Sequence, residues 1–109
     1  MRVKICGLRS RADVAASVAA GAFYGGLVFF PRSPRHLTLS DARWVTDAMP
    51  EHLVRGALTV DAEDADLEAI LEVIRVDMLQ LHGHERPERV AGIRQRFGLP
   101  VMKAVGIPA

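Results

Sequence analysis

One cysteine, Cys6, leaves the chain with no internal disulfide to close, so a reducing compartment is the simplest setting and the cytoplasm the expected one. Long apolar runs are missing too. The start, MRVKICG, is not a hydrophobic leader, and the longest apolar stretch, around Ala22 to Pro31, is too short and too broken by glycine to span a bilayer. Neither sign of charge dominates: a formal net charge of +1 gives no basic surface for nucleic acid. No Gly-x-Gly-x-x-Gly and no Gly-Lys-Ser/Thr loop follows the first apolar run, which removes the main support for a nucleotide-binding sheet. There is no linker, low-complexity segment or charge run. Nucleic acid and membrane are therefore not expected among the partners.

What is present suits a packed core. Half of the residues are hydrophobic and a quarter charged, as in soluble globular proteins. The 109 residues allow one domain, and they fall well short of the ~250 typical of a closed eight-stranded α/β barrel.

Apolar periodicity alternates between the two regular types along the whole chain. Val3 to Cys6 reads as a strand stopped by Gly7. Ser10 and Asp13 open a helix that carries Val14 and Val18 and ends near Gly21. Tyr24 to Phe29 is a second strand, and its Gly25 and Gly26 imply close approach by another backbone or a ligand. Ser40 is the expected cap of a second helix, with Ala42, Val45 and Met49 on its buried stripe and Pro50 closing it. Leu53 to Val60 is a third strand. Asp61, Glu63 and Asp64 then favour a helix start, and Leu67, Ile70, Leu71 and Ile74 give that helix one apolar face. Val76 to His82 is a fourth strand, with Leu79 and Leu81 on one side and Met78, Gln80 and His82 on the other. Pro87 begins a fourth helix through Val90, Ile93 and Phe97, Gly98 and Pro100 stop it, and Val101 to Val105 is a fifth strand.

Five strands separated by four helices with short connections require a parallel sheet with right-handed crossovers. The repeat of about 24 residues matches a βα unit and no solenoid signature. Two architectures satisfy this: a doubly wound open sheet, or part of a (β/α)8 barrel comprising about four βα units and a fifth strand.

Three residues stand out chemically. In the first strand Lys4 shares a face with Cys6 while Val3 and Ile5 take the other, and in a barrel the Lys4 and Cys6 face points inward, with Cys6 at the carboxyl end where such folds place chemistry. A cation beside a thiol favours the thiolate, a usable base or nucleophile; the alternative is a small buried hydrophobe. The loop Pro31-Arg32-Ser33-Pro34-Arg35-His36 is stiffened by two prolines, which preorganises Arg35 for bidentate carboxylate or phosphate recognition; the alternative is a solvated surface arginine. His82 ends the inward edge of the fourth strand and could orient a substrate or exchange a proton, or else be a hydrogen-bonded structural side chain. His82-Gly83-His84-Glu85 also invites a metal reading, but the pattern places no third or fourth ligand. His36 and His52 join no constellation, and Trp44 reads as packing rather than as a stacking platform.

Lys4-Ile5-Cys6-Gly7-Leu8, Val28-Phe29-Phe30-Pro31-Arg32-Ser33-Pro34-Arg35 and Gln80-Leu81-His82-Gly83, in this order and at these intervals, resemble the phosphoribosylanthranilate isomerase family of tryptophan biosynthesis. The resemblance continues through Leu99-Pro100-Val101-Met102-Lys103-Ala104 and covers the first half or slightly more of that family's barrel. It implies that residues 1–109 form the amino-terminal part of a TIM barrel. It also implies an Amadori rearrangement of a phosphorylated small-molecule substrate without cofactor or metal. The family's base, a cysteine ending strand one, matches Cys6; its carboxylate-binding arginine after strand two matches Arg35; and its strand-four pocket position matches His82. The family's general acid, at the end of strand six, and its phosphate loops, after strands seven and eight, have no counterpart here. The residues Ala57 to Asp61 and His84 also depart from the usual pattern. The chain is accordingly expected to be inactive alone and to self-associate through unpaired strand edges; the alternative is a non-catalytic half-barrel serving binding or assembly.

Overall fold

The computed structural model of the chain describes residues 3–104. Within them five strands and four helices alternate: β1 (Val3–Cys6), α1 (Arg11–Ala19), β2 (Ala22–Phe29), α2 (Leu39–Thr46), β3 (Val54–Thr59), α3 (Asp64–Val73), β4 (Met78–Leu81), α4 (Pro87–Phe97) and β5 (Val101–Lys103). The strands form one parallel sheet in the order β1-β2-β3-β4-β5. A doubly wound sheet must reverse its strand order at a switch point. This one never does, so right-handed crossovers put all four helices on one face and leave the other uncovered. That is the arrangement of a barrel wall.

The helix-facing side holds the core, in which Leu27 of β2, Ala57 of β3 and Leu79 and Leu81 of β4 pack with Val14, Val45, Leu67, Ile70 and Ile93 from the helices. Val3 and Ile5 join this cluster, while Lys4 and Cys6 are exposed on the opposite face. The expected parity of β1 is the one observed.

Local chemistry sets the helix ends. Ser10 Oγ accepts from Asp13 N at 3.0 Å, and Asp13 Oδ2 accepts from Arg9 N at 2.9 Å. For α2 the cap is Thr38, whose hydroxyl accepts from Asp41 N at 3.1 Å, and not Ser40, which lies inside the first turn. Thr38 has the extended backbone that a cap requires. Met49 also falls beyond α2, although it is buried. Pro87 opens α4, and Gly98, at φ 65°, closes it in the left-handed region. β3 and β4 are each shorter than their apolar runs, β2 begins two residues earlier than Tyr24, and the expected end of β5 at Val105 lies outside the described residues.

Two apolar-looking sites hold other chemistry. Trp44 is 60% exposed and carries the Arg11 guanidinium 3.7 Å from its ring centroid, so it is a stacking platform after all, for the chain's own arginine. Arg55 is buried near the amino-terminal end of β3, where its guanidinium donates to Met49 O at 2.7 Å and its backbone N to Asp77 Oδ2 at 2.9 Å. A charge at that end of a barrel strand serves the fold rather than the chemistry.

Candidate active site

The site is built from the carboxyl ends of β1 and β2. After Cys6 the chain turns at Gly7, with φ 84°, and the amides of Gly7 and Leu8 both donate to Gly26 O, at 2.9 and 3.0 Å. After β2 the proline loop folds back on its own strand: Ser33 N donates to Phe30 O at 2.9 Å, Arg35 N to Ser33 Oγ at 3.1 Å, and Leu37 N to Val28 O at 2.9 Å. This return lays the Arg35 side chain across Gly7. A Cβ at residue 7 would stand 2.5 Å from Arg35 Cδ, so only glycine permits the contact.

Cys6 and Arg35 thus line one cavity of about 280 Å³ together with Gly7, Leu8, Asp13 and Ser17. Both side chains are exposed, and the cysteine is a free thiol rather than a member of the core. Larger cavities, of about 620, 460 and 380 Å³, lie between the starts of α3 and α4, between α1 and the turn after α2, and between α2 and α3. None of these includes Cys6 or Arg35.

Beneath the thiol is a layer that periodicity alone could not assign. Gly26 and Gly56 are paired neighbours, and Cys6 pairs with Gly26, so the uncovered face has a hollow two strands wide. Tyr24 fills it. Its Oη occupies the space of a Gly56 side chain, 1.7 Å from where that Cβ would be, and its Cε1 lies 3.2 Å from the Cβ position of Gly26, beside Cys6 Sγ at 3.1 Å. Gly26 thus admits the Tyr24 and Cys6 side chains and the Cys6 backbone, whose Cα lies 3.3 Å from the Cβ position, while Gly25 faces the side chains of Leu8 and Met49. Gln80 Nε2 donates to Tyr24 Oη at 2.6 Å, and the Lys4 ammonium rests 4.8 Å from the ring centroid. Burial, and secondarily the neighbouring Cys6, push the phenol well above its usual range. Tyr24 is a neutral floor to this part of the face.

His82 is exposed beyond the end of β4 and is not part of the Cys6 and Arg35 cavity; its backbone N donates to Thr59 O at 2.9 Å. Partial burial first, and then Lys103, hold its imidazole below the ordinary histidine range, with Glu85 opposing them. Asp61, read from the sequence as favouring a helix start, Glu85, read as part of a metal pattern, and Lys103, not singled out, instead tie the ends of β3, β4 and β5 together around Gly83. The signal that they share is position, each lying at or a few residues past the end of a strand. Among the described residues no group of three or more His, Cys, Asp or Glu side chains could hold a metal ion, and no helix is long and apolar enough to cross a membrane.

Comparison with known proteins gives this geometry a context. The family model described as N-(5'-phosphoribosyl)anthranilate (PRA) isomerase matches residues 3–109. The N-(5'-phosphoribosyl)anthranilate isomerase of Cereibacter sphaeroides is 60% identical over 107 residues, which are 98% of this chain and 50% of the relative. That of Rhodopseudomonas palustris is 56% identical over 105 residues, 96% of this chain and 48% of the relative. A crystal structure of phosphoribosyl anthranilate isomerase in complex with reduced 1-(o-carboxyphenylamino)-1-deoxyribulose 5-phosphate superposes with a TM-score of 0.90 at 34% identity, over 99% of this chain and 55% of that one. The Thermus thermophilus enzyme gives 0.89 at 35% identity, over 100% and 54%. The chain spans about half the length of the curated relatives it matches. With a barrel-wall sheet, a thiol ending its first strand and an arginine folded back onto the following glycine, these 109 residues belong to the N-(5'-phosphoribosyl)anthranilate isomerase family.

Proposed function

We propose that the chain is the amino-terminal part of an isomerase of tryptophan biosynthesis. The reaction converts N-(5'-phosphoribosyl)anthranilate into 1-(2-carboxyphenylamino)-1-deoxyribulose 5-phosphate, an Amadori rearrangement that needs no cofactor, in the reducing cytoplasm. Cys6 is the base that takes the proton from C2 of the ring-opened Schiff base. Arg35 holds the anthranilate carboxylate, and His82 contacts the substrate in a supporting role from the end of β4, outside the cavity that Cys6 and Arg35 line. The acid that opens the ribose ring and the loops that bind phosphate belong to the part of the family barrel these residues do not cover. The observation that carries this reading is the shared cavity of Cys6 and Arg35, in which a thiol and a guanidinium fork meet at the carboxyl rim of a barrel-type sheet.

The test joins this chain to the carboxyl-terminal half of the Cereibacter sphaeroides relative. The chimera should turn over phosphoribosylanthranilate, Cys6→Ala should lower kcat by about 10²–10⁴-fold as expected for loss of a general base, and the 109-residue chain alone should give no turnover. Arg35→Ala should weaken anthranilate binding about tenfold or more. A chimera whose rate survives Cys6→Ala would refute the assignment of the base. A folded but inactive chimera would instead favour a non-catalytic binding or assembly module.

A further inference from the structure

The rim formed by β3, β4 and β5 is tied largely through Glu85. Its side chain is only 3% exposed, and both oxygens accept hydrogen bonds: Oε1 from Gly83 N at 2.9 Å and from Lys103 Nζ at 2.6 Å, and Oε2 from Asp61 N at 2.9 Å. Lys103, the last residue of β5, also donates to Gly83 O. Both peptide units around the Gly83 Cα are therefore held by charged groups, one by a carboxylate and one by an ammonium, and such hydrogen bonds are about twice as strong as neutral ones.

The fit around Gly83 is tight. A Cβ there would stand 2.4 Å from Asp61 Oδ1 and 2.6 Å from Asp61 N. Asp61 itself takes a φ of 50°, in the left-handed region, which turns its amide toward Glu85 while its Oδ1 accepts from His84 N at 2.6 Å. The residue just before this cage is His82. Its own N–H is bonded to Thr59 O, and the next N–H in the chain, that of Gly83, is bonded to Glu85.

We propose that Glu85 and Lys103 clamp the Gly83 peptides and so fix the direction in which His82 presents its imidazole at the rim, making both of them positioning residues for the site. The inference rests on the reading that His82 takes a supporting role toward the substrate. The charged groups that act on the ring are Lys103 from β5 and Glu85 from its own loop, and beyond them His84 and Asp61 pair with each other. Partial burial disfavours the imidazolium most, Lys103 adds to that effect and Glu85 opposes it. The outcome is a neutral ring near pH 7, able to offer one N–H and one lone pair in a set direction.

The experiment uses the 109-residue chain and needs no turnover. Histidine ring NMR titrations and hydrogen exchange of the Gly83 amide are compared among wild type, Glu85→Gln and Lys103→Met, with Lys103→Arg as the charge-retaining control. Lys103→Met should raise the His82 midpoint, Glu85→Gln should lower it, and Lys103→Arg should leave it near wild type, while His36 and His52 do not move. Exchange at Gly83 should quicken about tenfold in the first two variants. An unchanged His82 midpoint with unchanged Gly83 exchange, or shifts of the same sign in both variants, would overturn the proposal. Anthranilate binding that does not depend on Arg35 would sink the functional reading while leaving this result intact, so the two failures are separable.

Discussion

Gly56 has a tyrosine oxygen where any other residue would have a side chain, and that makes Tyr24 and Gly56 one unit. Adding a methyl group at residue 56 must displace the ring, because the clash is with an aromatic tip anchored by Gln80 rather than with a free side-chain end. Gly56→Ala should therefore cost roughly 1–3 kcal/mol or more in urea unfolding. In the background of Tyr24→Leu, where the oxygen is gone, the same change should cost markedly less, and strict additivity would contradict the coupling. Alternation in β1 made the Cys6 face legible, and two prolines made Arg35 legible, since both features act within a few residues of chain. The occupant of the glycine hollow was not legible. Nothing local says that Tyr24 rather than Met78 or Leu58, which also face that side, crosses to the next strands.

At the scale of elements, the connections between helices and strands carry the carboxylates whose titration sets acid stability. A hydrogen bond from Arg75 holds Glu51 below the usual carboxylate range, and the His84 amide and then its ring do the same for Asp61. Burial pushes Glu85 upward, but Lys103 and backbone N–H donors outweigh it and the group ends low. A depressed carboxyl contributes stability above its unfolded value, about 4, and loses it as pH falls through the folded value. His82 is depressed as well, so its contribution is present above its unfolded value of about 6.5 and fades in the same direction. Stability should thus fall from neutral pH into acid. Glu85→Gln should lower the unfolding free energy read from urea titration at pH 7 by about 1.5–3 kcal/mol, as for a charged hydrogen-bonded group, and flatten the decline below about pH 4.5. A midpoint-against-pH series that stays parallel to wild type would show that Glu85 is not among the titrating groups. Helix starts were legible wherever one cap candidate stood alone, as with Ser10. Thr38 and Ser40 compete two residues apart, and the choice fell to backbone shape, which the loop after β2 imposes.

The whole molecule has an uncovered side. Within the described residues β1 and β5 are each paired along one edge only, Met102 is 42% exposed, and the face carrying Lys4, Cys6 and Met102 has no helix over it. Unpaired parallel edges beside apolar surface promote association. The purified 109-residue chain should form dimers or larger species at micromolar concentration in sedimentation velocity, and a stable monodisperse monomer would count against the open barrel wall. The number of βα units and the parallel sheet could be read from alternating periodicity. Single rather than double winding could not, because strand order depends on which side each crossover takes.

That order has a kinetic meaning. Among the described residues every strand pairs only with its immediate neighbours in the chain, so no contact within this sheet waits for a distant segment to be made. Structure can then grow one βα unit at a time as the polypeptide leaves the ribosome, each new hairpin-sized piece finding its template already in place. A protein assembled in this serial fashion tolerates being split between units, since each break severs one neighbour relation rather than the whole network.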